Sequence, residues 1–324
     1  MDKPIFYINS SALNVKSTCE RRLSLTMCHG YSKDISRYND IHYGTCFHLY
    51  MQVLAQTNGD HDAAQKAAIK CWVDKENIIT RSKKEYIDLY FLMYSIEKFH
   101  KQYGHNTPIS FEGFSFHRNS QDIPFVEQKL VLPYYQSDEF DLNIVGTVDC
   151  LGSIGQAFVL LDYKTTSAYD STDFFSKYEI SNQMLLYTWV IRQMIKLNPN
   201  SELAEIFSQH PAFGCTIMGA FHKKGNVVFQ RGPIMYFPER RMEMFENALY
   251  AKLDTILRMC KKFIRTPNVN TYEGLVNGTC KMYGAAGCDF VQACLTSRLD
   301  DEMAVLNASF NKSPYNPLTT HEDI

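Results

Sequence analysis

The chain has 324 residues, 45% hydrophobic and 21% charged, which is an ordinary globular composition and excludes a disordered or fibrous protein. Lys+Arg is 33 and Asp+Glu is 35, so the net charge of −2 excludes a polybasic binder while leaving room for a local basic groove. No apolar run is long enough for a membrane span and Met1–Ile5 lacks a signal-peptide core, so a cytoplasmic compartment with reduced thiols is expected.

Taken in chain order, residues 10–29 read as a helix opened by Ser10 and Ser11, both good N-cap types. Gly44 to Ala55 reads as a second helix. Lys83 to Tyr103 reads as a third, with Tyr86, Leu89, Tyr90, Met93 and Ile96 at helical spacing. Turn formers fill 104–124, which predicts loop and short strands. Strands are predicted at Phe125–Leu132, Asn143–Leu151 and Ala157–Lys164, then a polar connection over 165–180. Ser181 to Lys196 has an apolar helical face. Two strands follow at Phe213–Phe221 and Val227–Arg231, joined at the turn signal Lys223-Lys224-Gly225-Asn226. Pro238 opens a long helix to about Phe263. A cysteine-bearing segment occupies 278–296, and 309–324 reads as a loose polar tail.

The chemistry concentrates in Gly146-Thr147-Val148-Asp149 and Leu161-Asp162-Tyr163-Lys164-Thr165. A short hairpin with Gly152 and Gly155 in its turn brings Asp149 and Asp162 side by side. Two carboxylates at one point call for a cation, and hard oxygen ligands suit Mg²⁺ or Mn²⁺. Lys164 is two residues past Asp162, so strand alternation puts both side chains on one face. Tyr163 points away, but its backbone carbonyl can face an ion. Alone, such an Asp-x-Lys equally fits an exposed ion pair. Gln183 and Tyr187, four apart on the predicted helix, share a face.

Gly146–Asp149, Asp162–Thr165 and Gln183–Tyr187, in that order, resemble the GxxD, (D/E)xK-Thr and QxxxY motifs of RecB-type PD-(D/E)XK nucleases. Gly44-Thr45-Cys46-Phe47-His48 is similar to that family's early G-x-x-x-H. The resemblance covers roughly 10–296. It implies an α/β, restriction-endonuclease-like fold: a central mixed sheet flanked by helices, in a single domain over 1–300 with a helical insertion at about 56–110 and a tail at 301–324. It also implies a metal site of His48, Asp149, Asp162 and the carbonyl of Tyr163, with Lys164 positioning water and Gln183 and Tyr187 bracing Lys164 or touching DNA. Glu127 matches an acidic position used upstream by some branches. With His48 available, the reading leaves it outside the ligand set.

Cys280, Cys288 and Cys294 lie in a glycine-containing segment, and three thiolates need a fourth ligand. Cys19, in Ser17-Thr18-Cys19-Glu20-Arg21-Arg22, is similar to the early cysteine of the iron–sulfur branch of that family, which includes AddB-like subunits and CRISPR-adaptation nucleases. The resemblance implies a [4Fe–4S] cluster on Cys19, Cys280, Cys288 and Cys294 that joins the N- and C-terminal segments, with zinc as the alternative. Two details depart from it: Glu follows Cys19 where Pro is frequent, and the gap from Cys280 to Cys288 exceeds a C-x-x-C. Arg21 and Arg22 read either as phosphate contacts or as a solvated face.

The function implied is a divalent-metal-dependent DNA nuclease, an exonuclease on ends or single strands. A catalytically silent DNA-binding or recombination partner is the alternative. A third class, an RNA- or nucleotide-directed hydrolase, lacks an RNA-binding signature. No P-loop is present, so a helicase partner would be a separate chain.

Overall fold

The computed structural model describes residues 3–16, 19–33, 38–75, 84–104, 110–267, 280, 288–296 and 298–318. In chain order the elements are β1 (Ile5–Ile8), α1 (Ser10–Lys16), α2 (Glu20–Leu23), a π-helical turn (Ser24–Cys28), β2 (Tyr31–Ser32), α3 (Asn39–Gln56), α4 (His61–Lys75) and α5 (Leu89–Tyr103). There follow β3 (Ser110–Phe111), β4 (Phe114–Phe116), β5 (Val126–Gln136), β6 (Asp141–Ile154), β7 (Ala157–Thr166), α6 (Ser171–Glu179), α7 (Asn182–Leu197) and α8 (Glu202–Ser208). The last are β8 (Ala212–Lys223), β9 (Asn226–Arg231), β10 (Met235–Tyr236), α9 (Glu239–Arg265), α10 (Val291–Cys294), α11 (Leu299–Ser309) and β11 (Asn311–Lys312). No described helix is long and apolar enough to cross a membrane.

The chain forms two compact units. One comprises Ile35–Lys129 and Thr147–Pro238, the other Met1–Asp34, Leu130–Gly146 and Glu239–Ile324.

In the first unit the sheet runs β10-β8-β7-β6-β4-β3, with β9 also on β8. β6 and β7 are antiparallel, with Cys150 opposite Leu161 and Ile154 opposite Ala157, and Gly155 in the left-handed region (φ 57°) closes the turn. Gly152, expected in that turn, instead lies inside β6 opposite Val159. β8 lies parallel to β7 over its full length. Alternation along β8 puts helices on both faces of this mixed sheet, as expected. Cys215 meets Thr188 of α7 at 3.2 Å and Phe221 meets Phe174 of α6, whereas His222 on the other face meets Tyr43 of α3. Phe47, Phe99 and Phe229 pack together on that second face, Phe47 stacking on Phe229 at 5.5 Å. Each such buried ring contributes about 1.5–3 kcal/mol.

The second unit pairs β1 in parallel with Asp141–Ile144 of β6, and β2 antiparallel with β11. Its cysteine-bearing core joins Leu25, Tyr31, Cys288, Phe290, Leu306 and Phe310, with Phe290 stacked on Phe310 at 4.4 Å.

Several local expectations are corrected. The helix read over 10–29 is interrupted: Cys19 is extended (φ −159°, ψ 115°), and its Sγ caps α2 by accepting from Arg22 N. Asn9, rather than Ser10 or Ser11, caps α1 through Oδ1. The second helix starts at Asn39, and the third at Leu89, where Asp88 accepts from Phe91 N. The polar connection at 165–180 contains α6, capped by Asp170 and anchored by Phe174 and Phe175 on Phe221. The C-terminal stretch read as loose carries β11, and Tyr315 donates its hydroxyl proton to Asn9. Residues 278–279 and 281–287 of the cysteine segment and the last residues of the tail, 319–324, lie outside the described residues.

Candidate metal centre

The β6–β7 hairpin carries Asp149 and Asp162 on adjacent strands with side chains on the same face. Both are nearly buried, at 9% and 1% exposure. The backbone N–H of Tyr163 donates to Asp149 Oδ2 at 2.6 Å. Tyr163 points its ring into the core, where its hydroxyl meets Cys150 at 3.5 Å. Lys164, two residues along from Asp162, places Nζ 2.5 Å from Asp162 Oδ2. The expected one-face arrangement of Asp162 and Lys164 is therefore what the strand delivers.

α7 adds a second layer of contacts. Ser181 caps it, which sets Gln183 in the first turn facing β7. Gln183 Nε2 donates both to Asp162 Oδ1 and to the Tyr187 hydroxyl, each at 3.1 Å. Gln183 thus braces Asp162, where the sequence suggested Lys164. Tyr178 of α6, which the sequence reading passed over, responds electrostatically to both Lys164 and Asp162.

α3 contributes His48. Gly44, one turn earlier, lets the helix approach β7, since a Cβ there would come within 3.0 Å of Thr165 Oγ1. His48 Nδ1 lies 3.5 Å from Asp149 Oδ2, its ring meets Tyr163 edge-on, and the Tyr163 backbone hydrogen-bonds it. Ligand atoms of His48, Glu127 and Asp149 all fall within 4.8 Å of one another. Glu127, set aside on sequence, is thus brought into the site. It holds φ at 48°, a left-handed conformation unusual for this residue, near the start of β5.

Burial dominates the electrostatics. It pushes Asp149 and Asp162 up to about 6, against the pull of the Lys164 ammonium. It also pushes His48 down to about 4, helped by the Lys164 charge, so the imidazole is neutral near pH 7. Burial would lower Lys164 as well, but the charges of Asp162 and Asp149 more than reverse it. The two carboxylates of Asp149 and Asp162 face one ammonium, Lys164, and a neutral imidazole, His48, which leaves them short of positive charge. A hard divalent cation on oxygen and imidazole donors fits that deficit.

In the other unit, Cys19, Cys280, Cys288 and Cys294 act on one another electrostatically. Burial raises Cys288, with Cys19 and Cys280 adding to the effect and Arg22 opposing it. Burial pushes Cys294 up to about 11, opposed by Arg21 and reinforced by Cys288 and Cys19. Arg21 is paired with Glu302 and Arg22 with Asp289, so neither is a solvated face or laid out for phosphates. Cys288 lies in the hydrophobic cluster of this unit, with Cys280 and Cys294 packed against it.

A family model described as the PD-(D/E)XK nuclease superfamily matches residues 7–294. No curated protein sequence matches the chain. Among solved structures, a candidate exonuclease from Eubacterium rectale is similar at 12% identity and a TM-score of 0.45, over 86% of this chain and 88% of that one.

Proposed function

The chain belongs to the PD-(D/E)XK nuclease superfamily, and from that premise we propose that it is a divalent-metal-dependent deoxyribonuclease, an exonuclease acting on DNA ends or single strands in a reducing, cytoplasmic compartment. The observation that carries this reading is the convergence of Asp149, Asp162 and Lys164 on one buried, cation-deficient face. Asp149, Asp162, His48 and the Tyr163 carbonyl would hold Mg²⁺ or Mn²⁺, with Glu127 as a further ligand. A divalent ion bound there supplies Lewis-acid polarisation of the scissile phosphate and lowers the pKa of water.

The chain's own groups do the rest. Lys164 orients the attacking water and stabilises the charge that develops on the phosphate. Gln183 fixes the rotamer of Asp162 through one amide proton and is itself anchored on Tyr187 by the other. Neutral His48 keeps a nitrogen lone pair available at physiological pH.

Cys19, Cys280, Cys288 and Cys294 would hold a [4Fe–4S] cluster that staples early and late segments of their unit, with Arg21 and Arg22 offsetting its negative charge. Its role is structural, because phosphodiester hydrolysis moves no electron. Any unwinding or recombination partner would be a separate chain. The test is incubation of the purified protein with end-labelled linear and with circular DNA, single- and double-stranded, in Mn²⁺. Progressive loss of linear DNA that stops in chelator supports an exonuclease. Cleavage of circles points to an endonuclease, and intact DNA throughout points to a silent DNA-binding relative.

A further inference from the structure

A second constellation of ligating side chains lies between α3 and α4 and has no part in the phosphodiester site. His42 and Cys46 are one helical turn apart on α3, both buried, and Cys71 reaches them from α4. Cys46 Sγ lies 3.3 Å from Cys71 Sγ and 3.6 Å from His42 Nε2, and ligand atoms of all three fall within 4.8 Å of one another. The His42 ring packs against buried Trp72, with ring centroids 5.1 Å apart. Lys75, one turn beyond Cys71, places a positive charge that acts on both thiols.

These spacings are close to the edges of a tetrahedron. With Zn–S of about 2.3 Å and Zn–N of about 2.0–2.1 Å, tetrahedral angles require roughly 3.8 Å between two thiolates and roughly 3.6 Å between thiolate and imidazole. The Cys46–His42 sulfur–nitrogen edge already has that length, and the sulfur–sulfur edge, at 3.3 Å, needs about 0.5 Å of side-chain movement to reach the separation set by those bond lengths. Two thiolates and an imidazole select a thiophilic ion, unlike the oxygen-rich donors around Asp149. Cys71 is the partly exposed member of the three, so the fourth position opens on its side.

We propose that His42, Cys46 and Cys71 form a zinc(II) site, completed by a water, that pins α3 to α4. Binding transfers no electron. Each thiol gives up its proton to solvent as its sulfur takes the metal.

The test uses the full-length protein, reduced and kept free of oxygen, with zinc(II) alone as the probe. Alkylation of Cys71, read on its own peptide by mass spectrometry, should be blocked by zinc and restored by chelator. Cobalt(II) in place of zinc should give an added thiolate-to-metal absorption that Cys71→Ser removes and Cys215→Ser leaves in place. Cys71→Ser should lose one zinc per chain, together with the zinc-induced rise in the thermal midpoint. Equal alkylation of Cys71 with and without zinc would overturn the proposal. So would an unchanged zinc content in Cys71→Ser, or recovery of a Cys46–Cys71 disulfide from protein that takes up no zinc. All readouts are metal content, alkylation or spectra, so failure here is distinguishable from failure of the nuclease reading.

Discussion

Lys164 Nζ lies 2.5 Å from Asp162 Oδ2, and that carboxylate is only 1% exposed. The ammonium is therefore engaged by the acid rather than held out to solvent. The two are therefore energetically linked as well as chemically complementary. Asp149, whose charge also acts on Lys164, is the remaining counter-charge when Asp162 is neutralised.

The first prediction follows from the raised carboxylates. A folded-state pKa of about 6 for Asp162, above the ordinary value of 3.8, means the folded protein binds that proton more tightly than the unfolded chain. Its charge therefore destabilises the metal-free protein above pH 6, and the penalty disappears as pH falls through 6 toward 4. Asp162→Asn should raise metal-free stability at pH 7.5 by about 3 kcal/mol, the shift from 3.8 to about 6 taken at about 1.4 kcal/mol per unit. That advantage should fall to about half at pH 5 and vanish below about pH 4. Denaturant titrations of both proteins at the two pH values measure it. An advantage that is constant with pH would deny that ionisation of Asp162 is its source.

Gln183 and Tyr187 are predicted to separate in their effects. Gln183→Ala frees Asp162 Oδ1 and should lower the cleavage rate by roughly 10–100-fold, the usual cost of losing a group that orients a ligand. Tyr187→Phe leaves the Gln183–Asp162 bond in place and should cost less. Steady-state rates on one labelled substrate decide the order, and a larger loss in Tyr187→Phe would mean the hydroxyl acts directly.

His48→Ala and Glu127→Gln should each weaken Mn²⁺ binding, by roughly 10–100-fold, as read by calorimetric titration of folded protein. Wild-type affinity in Glu127→Gln would place that residue outside the ligand set. Wild-type affinity in His48→Ala with a large loss in Glu127→Gln would make the glutamate the upstream ligand.

The cysteine group makes a stability prediction. Protein purified without oxygen should be brown and contain iron and sulfide. Cys19→Ser, Cys280→Ser, Cys288→Ser and Cys294→Ser should each lose that colour and become unstable. Closing a loop of some 260 residues constrains the unfolded chain by about 4–5 kcal/mol if the disulfide scaling applies. Cys215→Ser, in the other unit, should keep the colour. Zinc held by these four cysteines would preserve the staple and reject iron. Equal tolerance at all five positions would reject both.

The hairpin chemistry was legible because it is local. Gly155, the alternation of Asp162 and Lys164, and the four-residue spacing of Gln183 and Tyr187 are all short-range signals. The sequence reading sets Glu127 aside because His48 is available, and its approach to His48 comes with a positive φ that a glutamate rarely adopts and that no pattern announces. α6 was lost beneath polar residues, although Asp170 before Ser171-Thr172-Asp173 is a cap signal. Arg21 and Arg22 were misplaced because their partners Glu302 and Asp289 are more than 260 residues away in the chain. Cys46 and Cys71 are 25 residues apart and share no sequence motif. Helix periodicity puts His42 beside Cys46, but only tertiary packing of α3 on α4 adds Cys71.

The account rests on Lys164 acting in a metal-dependent cut, and the most direct measurement compares wild type with Lys164→Ala. Both would be titrated with Mn²⁺ and assayed on the same end-labelled linear single-stranded DNA, with chelator as control. The account predicts that the variant folds and still binds Mn²⁺ while its cleavage falls below detection, and that wild-type cleavage vanishes in chelator. Cleavage by Lys164→Ala at the wild-type rate, or wild-type cleavage that survives the chelator, would contradict it.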